Sequence, residues 1–147
     1  MPFTFDLPIS DDSRFSVWAS LLTQREQVTY RTLLRAVSGR FQVMVKVRLW
    51  DSLHLENDPP QGHEYRSRLS CRHVDFLLCE PYTLRPRLGI ELDDHSHHSV
   101  KGQADDRFKN DLFAAAGLPL LRLDKPNYTA RMLQEVGEGM GGQSEER

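Results

Sequence analysis

Three carboxylates stand in two short apolar segments of this chain. Asp75 lies within Val74-Asp-Phe-Leu-Leu78, and Glu91 and Asp93 lie within Gly89-Ile-Glu-Leu-Asp93. Both segments have the length and composition of β-strands, in which alternate side chains share a face, so Glu91 and Asp93 point the same way. If the two strands pair as an antiparallel hairpin, Asp75 can lie close to both. Carboxylates that close raise one another's pKa unless a cation offsets their charge.

An all-oxygen donor set of this kind suits Mg²⁺ or Mn²⁺. The competing interpretation is that Asp75 and Glu91 are buried and paired with arginines such as Arg72 or Arg122, because acids are seldom buried without a partner. For Asp93 the alternative is an exposed acid at the end of a strand. Asp94, which follows directly, is interpreted as a turn former.

Three histidines, His95, His97 and His98, follow the second acidic segment. Of these, His97 is the candidate for a general base or a phosphate contact. A structural zinc site is the weaker interpretation, because no cysteine pair has ligand spacing. Gln103 could bind or position a substrate phosphate, but a glutamine at a helix start is the preferred interpretation.

The elements that must position these residues follow from hydrophobic periodicity. A helix is predicted from Thr23 to about Val37, and Thr23-Gln-Arg-Glu26 has the pattern of a capping box. A strand is predicted over Phe41–Trp50, in which alternate apolar residues share one face: Phe41, Val43, Val45, Val47 and Leu49. Residues 57–63 are predicted to form a loop before the two acidic strands.

A second polar loop is predicted over His95–Gly102, and a helix over about Ala104–Ala116 that ends at Gly117 and Pro119. A buried strand over Pro119–Leu123 and a last helix over Tyr128–Val136 complete the order αβββαβα. We therefore expect an α/β or α+β fold in which helices cover a mixed sheet of about four strands.

The length of 147 residues suits one domain, which we place at residues 14–136. Residues 1–13 are expected to be irregular and residues 137–147 to be a disordered tail with almost nothing to bury. The net charge of −2 gives no global basic signature. The two cysteines are interpreted as reduced thiols. The sequence shows neither a signal pattern nor an apolar run that could cross a bilayer. We therefore expect a cytoplasmic protein without a membrane partner.

Six motifs, in order along the chain, resemble the DUF2726 family. They run from about Leu21 to Arg122: Leu21-Leu-Thr-x-x-Glu26, Val43-x-x-Lys-Val-Arg-Leu49, Val74-Asp-Phe76, Ile90-Glu-Leu-Asp-Asp-x-Ser-His97, Asp106-x-x-Lys109 and Ala116-Gly-Leu-Pro-Leu-Leu-Arg122. The pattern is similar to the PD-(D/E)xK nuclease superfamily, including its very-short-patch-repair and DUF559 endonuclease-like groups. The resemblance implies a restriction-endonuclease-like core and a nuclease that uses Mg²⁺ or Mn²⁺.

The resemblance also assigns roles to residues. It makes Asp75 and Glu91 the two acids that bind metal. Asp93 stands where the motif usually has Lys, and so becomes a further metal ligand. Lys109, three residues after Asp106 on one helical face, is then the replacement positive charge, although a solvated helix lysine explains it too. His97 is the candidate base, and Glu26 matches an N-terminal acid that completes some of these sites.

The implied substrate is nucleic acid, with DNA favoured. The sequence leaves open whether the polymer is DNA or RNA, whether it is cut internally or from an end, and whether a homodimer or an accessory protein is needed. The alternative function is a catalytically inactive module with the same fold, which binds nucleic acid or a protein partner.

Overall fold

A four-stranded mixed sheet lies at the centre of the protein in a computed structural model, which describes residues 15–93 and 99–124. The strands are ordered β1-β2-β3-β4 across the sheet. The first two neighbouring pairs are antiparallel, and β3 and β4 are parallel. The strand bounds are Gln42–Arg48 for β1, His73–Cys79 for β2, Pro86–Leu92 for β3 and Leu120–Leu123 for β4.

Within the described residues, four helices accompany the sheet: α1 over Gln24–Val37, α2 over Leu49–Ser52, α3 over Gly62–Ser70 and α4 over Val100–Ala116. Two apolar clusters hold these layers together. The first joins Leu33 and Val37 of α1 to sheet residues such as Phe76 and Ile90. The second contains Leu49, Leu69 and Phe113 from α2, α3 and α4, together with other sheet residues. Helices therefore cover a mixed sheet, as predicted from the sequence.

The alternation of β1 is interrupted at Lys46, which has a left-handed φ of 49°. Val45 packs against the first cluster and Val47 against the second. The prediction that Val47 and Leu49 share a face with Val43 was therefore wrong, because the positive φ changes which way the following side chains point. The pairs Val45–Phe76 and Val47–Val74 place Lys46 opposite Asp75.

Several predicted boundaries were also revised. The strand predicted over Phe41–Trp50 ends at Arg48, because Leu49 and Trp50 begin α2. The loop predicted over residues 57–63 gives way to α3 at Gly62, and α3 itself was not predicted. The fourth helix begins at Val100 rather than near Ala104, since the Ser99 side chain accepts a hydrogen bond from the Gly102 amide and caps it.

The helix predicted from Thr23 to Val37 is confirmed as α1. The predicted stop after the fourth helix is confirmed too, because Gly117 adopts the left-handed cap. The predicted N-terminal segment, the helix over Tyr128–Val136 and the tail lie outside the described residues. Over residues 15–93 and 99–124, no helix is long and apolar enough to cross a membrane.

Candidate functional site

Asp75 and Glu91 meet where β2 and β3 run side by side. Phe76 pairs with Ile90, which sets Asp75 opposite Glu91 in the next position. The Asp75 Oδ2 atom accepts a hydrogen bond of 2.9 Å from the Leu92 amide, which fixes the carboxylate against β3. The two carboxyl groups interact, because the Asp75 carboxyl contributes to raising the pKa of Glu91. The hairpin predicted from the sequence therefore does bring these two acids together.

Glu91 is an acid inside the core, with 3% of its surface exposed. Its Oε1 atom accepts a hydrogen bond of 2.6 Å from the Nζ atom of Lys109 on α4. Lys109 is itself largely buried, so the pair is shielded from water. A carboxylate and an ammonium in a low-dielectric setting attract each other strongly, which offsets part of the cost of burying both. Lys109 is thus brought to the acids, as the resemblance suggested.

Burial raises the pKa of Glu91 to about 8, and the neighbouring Asp75 carboxylate adds to the rise. The Lys109 ammonium opposes it. The causes are desolvation first and like-charge repulsion second, the two effects that keep a carboxyl protonated to higher pH. A carboxyl with a pKa near neutrality, beside a second acid and a lysine, is typical of functional sites.

His73 lies beside Asp75 and was not among the site residues predicted from the sequence. Its Nε2 atom lies 3.7 Å from Asp75 Oδ1. Burial lowers the pKa of His73, with smaller contributions from Lys109 and Lys46, while Asp75 opposes the shift. A signal was available, because His73 stands two positions before Asp75 and the period of a strand puts such residues on one face.

Asp93 is paired with an arginine. Its Oδ1 atom lies 3.5 Å from Arg122 Nη1. Arg122 also donates to Asn110 Oδ1 at 3.0 Å and to Asp106 Oδ1 at 3.3 Å, so it ties β4 and α4 to the end of β3. Arg122, which was considered as a partner for Asp75 and Glu91, therefore pairs with Asp93 instead. Arg72, the other arginine considered, pairs with Asp105 at 2.9 Å.

Glu26 forms the capping box expected from the sequence. Its amide donates to Thr23 Oγ1 at 3.2 Å, and its Oε2 atom accepts from the Thr23 amide at 2.7 Å. The same oxygen lies 3.6 Å from Lys46 Nζ. Glu26 therefore has a structural role that accounts for its position, and its role as a metal ligand stays a prediction.

Two residues predicted to take part in the site remain, His97 and Gln103. His97, the predicted base, lies with Asp94 in the segment 94–98 outside the described residues. Gln103 stands in the first turn of α4, where its amide donates to the Ser99 carbonyl, and its side chain is exposed. The helix-start interpretation accounts for Gln103.

The arrangement of Asp75 and Glu91 suits a divalent cation that takes two protein carboxylates. Among residues 15–93 and 99–124, no group of three or more His, Cys, Asp and Glu side chains is close enough to hold a metal. Asp75 and Glu91 form an adjacent pair of carboxylates. Mg²⁺ is commonly held by one or two protein carboxylates and keeps several waters, so the pair fits such an ion. The fit requires Glu91 to share its oxygens with Lys109.

A groove of about 260 Å³ opens next to these acids. His73 and Lys109, which contact Asp75 and Glu91 respectively, both line it. The other lining residues come from the α3–β2 connection and from α4: Cys71, Arg72, Gly102, Asp105 and Asp106. The groove therefore reaches the two residues that contact the acids, and its lining does not include Asp75 or Glu91.

Comparison with known proteins relates most of the chain to a protein family. Residues 18–138 match the model of a family described as a protein of unknown function (DUF2726). No curated protein and no solved structure matches the chain. The matched region includes every helix and strand of the described residues and every described residue of the site.

Proposed function

The chain belongs to the DUF2726 family, and we propose that it is a divalent-metal-dependent nuclease that hydrolyses phosphodiester bonds, with DNA as the favoured substrate. One observation carries the proposal: Asp75 and Glu91 meet on neighbouring strands, and Lys109 Nζ lies 2.6 Å from Glu91. Two acids and a lysine are also what the resemblance to PD-(D/E)xK nucleases calls for. The restriction-endonuclease-like core is part of the same proposal.

Asp75 and Glu91 would hold the metal ion. A bound Mg²⁺ or Mn²⁺ supplies a water of lowered pKa and offsets the charge on the phosphodiester. Asp75 is fixed by the Leu92 amide, so its second oxygen keeps one direction. Burial keeps water away from Glu91 and strengthens its electrostatic interactions with whatever lies beside it.

Lys109 supplies the positive charge that the motif usually has at the position where this chain has Asp93. Its ammonium has three donors, of which one is used on Glu91 Oε1 among residues 15–93 and 99–124, so further donors can serve a phosphate oxygen in the adjoining groove. A preorganised cation at the point where negative charge develops lowers the barrier, because it needs no reorganisation during the reaction. His97 remains the candidate base in this scheme.

The second candidate function is an inactive module that binds without cutting. It is favoured by the direct Lys109–Glu91 pair, since a lysine can replace a metal in offsetting a buried acid. Thermal unfolding with and without Mn²⁺ separates the two. A nuclease gains stability from Mn²⁺, because a ligand that binds only the folded state stabilises it, and Glu91→Ala removes the gain. The thermal stability of an inactive module should not change when Mn²⁺ is added.

Cleavage tests the proposal itself. Labelled DNA and RNA, single- and double-stranded, are incubated with the protein and Mg²⁺ or Mn²⁺. Wild type should cut at least one substrate and lose the activity in EDTA. Glu91→Gln should be inactive, whereas Asp51→Asn, which removes an exposed acid paired with Arg48, should cut like wild type. Cutting by Glu91→Gln at the wild-type rate would contradict the proposal.

A further inference from the structure

Helices α3 and α4 are joined beside the groove by stacked side chains. The guanidinium carbon of Arg68 lies 3.9 Å from the centre of the Phe108 ring. The guanidinium carbon of Arg72 lies 5.2 Å from the same ring. Phe108 directly precedes Lys109 in α4, so the stack lies next to the residue that contacts Glu91. Guanidinium groups are attracted to aromatic faces, and this contact holds them in place.

The two arginines differ in what their N–H groups do. Arg72 donates to Asp105 Oδ1 at 2.9 Å and to the Arg68 carbonyl at 2.8 Å. In the part of the chain that the structure describes, the Arg68 guanidinium contacts the Phe108 ring but has no hydrogen-bond acceptor and no ion-pair partner. A guanidinium that stacks by its face keeps its N–H edge available for phosphate oxygens, which it can bind in pairs.

The charges around the groove favour an anion at this rim. Two acids line the groove, but Asp105 pairs with Arg72 and Asp106 accepts from Arg122. Arg68 is partly buried, and its guanidinium lies against the Phe108 ring. A cation held against Phe108 near a groove that Arg72, His73 and Lys109 line fits the phosphate backbone of a substrate bound at the proposed centre.

We infer that Arg68, held against Phe108, binds the phosphodiester backbone of a nucleic-acid strand next to the phosphate that is cut. The strand then crosses the rim between α3 and α4 and enters the groove at Arg72 and Lys109. The inference rests on the proposed function for its setting, since it names the surface by which that site holds its substrate. Recognition through phosphates is independent of sequence.

Binding is measured without cleavage, so that the inference and the nuclease proposal can fail separately. Fluorescence anisotropy in EDTA follows labelled single-stranded DNA, single-stranded RNA and duplex DNA over a series of salt concentrations. The variants are Arg68→Gln, Arg68→Lys and Phe108→Leu. The control is Arg31→Gln, which removes an exposed positive charge from α1, the helix that packs in the other apolar cluster. Thermal unfolding of each variant verifies that it is folded.

For Arg68→Gln we expect about tenfold weaker binding at moderate salt, because a charge-assisted hydrogen bond is lost. The slope of log K against log salt should fall by about 0.7 for single strands and about 0.9 for duplex DNA, the change for one phosphate contact. Arg68→Lys should restore the slope. Phe108→Leu should weaken binding with an unchanged slope, which supports the inference even if Arg68→Gln folds poorly. Arg31→Gln should bind like wild type.

The inference is overturned if wild type binds none of the polymers, or if Arg68→Gln keeps both the affinity and the salt slope of wild type. Cleavage distinguishes the two proposals. Weak binding by Arg68→Gln, with no cleavage of any substrate by wild type in Mg²⁺ or Mn²⁺, supports the surface and removes the nuclease. Cleavage by wild type together with unchanged binding by Arg68→Gln removes the surface and keeps the nuclease.

Discussion

Lys109 and Glu91 are joined by a hydrogen bond of 2.6 Å between Nζ and Oε1, across 18 residues of sequence. The bond joins the middle of α4 to Glu91 in β3, and the next residue of β3, Leu92, contacts Asp75. It therefore belongs both to the core and to the candidate site. Its two roles can be separated by measuring stability and cleavage on the same variants.

The pair should show a strong energetic coupling. Lys109→Met leaves the Glu91 carboxylate buried without its cation, and we expect it to destabilise the fold by about 2 kcal/mol on the alkaline side of the Glu91 pKa. Glu91→Gln combined with Lys109→Met should cost less than the sum of the single changes, because no buried charge is left. Urea unfolding of the four proteins measures the coupling. Additive effects would show that the pair contributes nothing beyond packing.

Stability should depend on pH through Glu91. The folded state holds the Glu91 proton more tightly than the unfolded state, because its pKa rises from 4.5 to about 8. The stabilisation is therefore full below the unfolded pKa, decreases as the pH rises through this interval and is gone above about 8. Relative to Glu91→Gln, wild type should lose about 3–5 kcal/mol across the interval. Urea unfolding at both ends of the interval tests this, and parallel profiles for the two proteins would contradict it.

Thr23 and Glu26 allow the cap to be separated from a metal role. Thr23→Ala removes one half of the capping box and should cost about 1 kcal/mol. Glu26→Gln should cost less, because glutamine serves in the same motif and the Lys46 contact it loses is weak. If Glu26 also holds metal, Glu26→Gln will reduce the stabilisation by Mn²⁺ in thermal unfolding. An equal gain from Mn²⁺ in wild type and Glu26→Gln would restrict Glu26 to the cap.

Gly89 is needed where β3 passes α4, two positions before Glu91. A Cβ atom at this position would lie 2.5 Å from Phe113 Cε1 and 3.1 Å from Leu120 Cδ1. Gly89→Ala should therefore destabilise the protein by about 1–3 kcal/mol through overpacking. Urea unfolding tests this prediction. Unfolding at the wild-type midpoint would mean that Phe113 moves aside at no cost.

Local signals were enough to predict much of the fold. Thr23 and Gly117 mark helix ends by their own chemistry, and both were identified correctly. Helix α3 was missed because it is short and strongly polar, with Leu69 as its one fully buried residue, so it has little apolar periodicity. The break at Lys46 could not be predicted, since a positive φ at lysine is set by tertiary contacts rather than by local preference.

The site was only partly predictable for a related reason. Strand alternation and hairpin pairing bring Asp75 to Glu91, and both follow from the sequence pattern. The assignment of Arg122 to Asp93 depends on the parallel pairing of β3 with β4, where Glu91 is the register partner of Arg122, and no local pattern specifies it. His73 was overlooked although strand periodicity put it beside Asp75.

The central claim is that Asp75, Glu91 and Lys109 form a hydrolytic centre, and single-turnover cleavage tests it most directly. The rate on the best-cut labelled substrate is measured in Mn²⁺ for wild type, Glu91→Gln, Lys109→Met and the control Asp51→Asn, with folding verified for each. We expect wild type and Asp51→Asn to cut at equal rates, and Glu91→Gln and Lys109→Met to be at least about 10²-fold slower. Wild-type rates in folded Glu91→Gln, or no cleavage of any nucleic acid by wild type, would contradict the account.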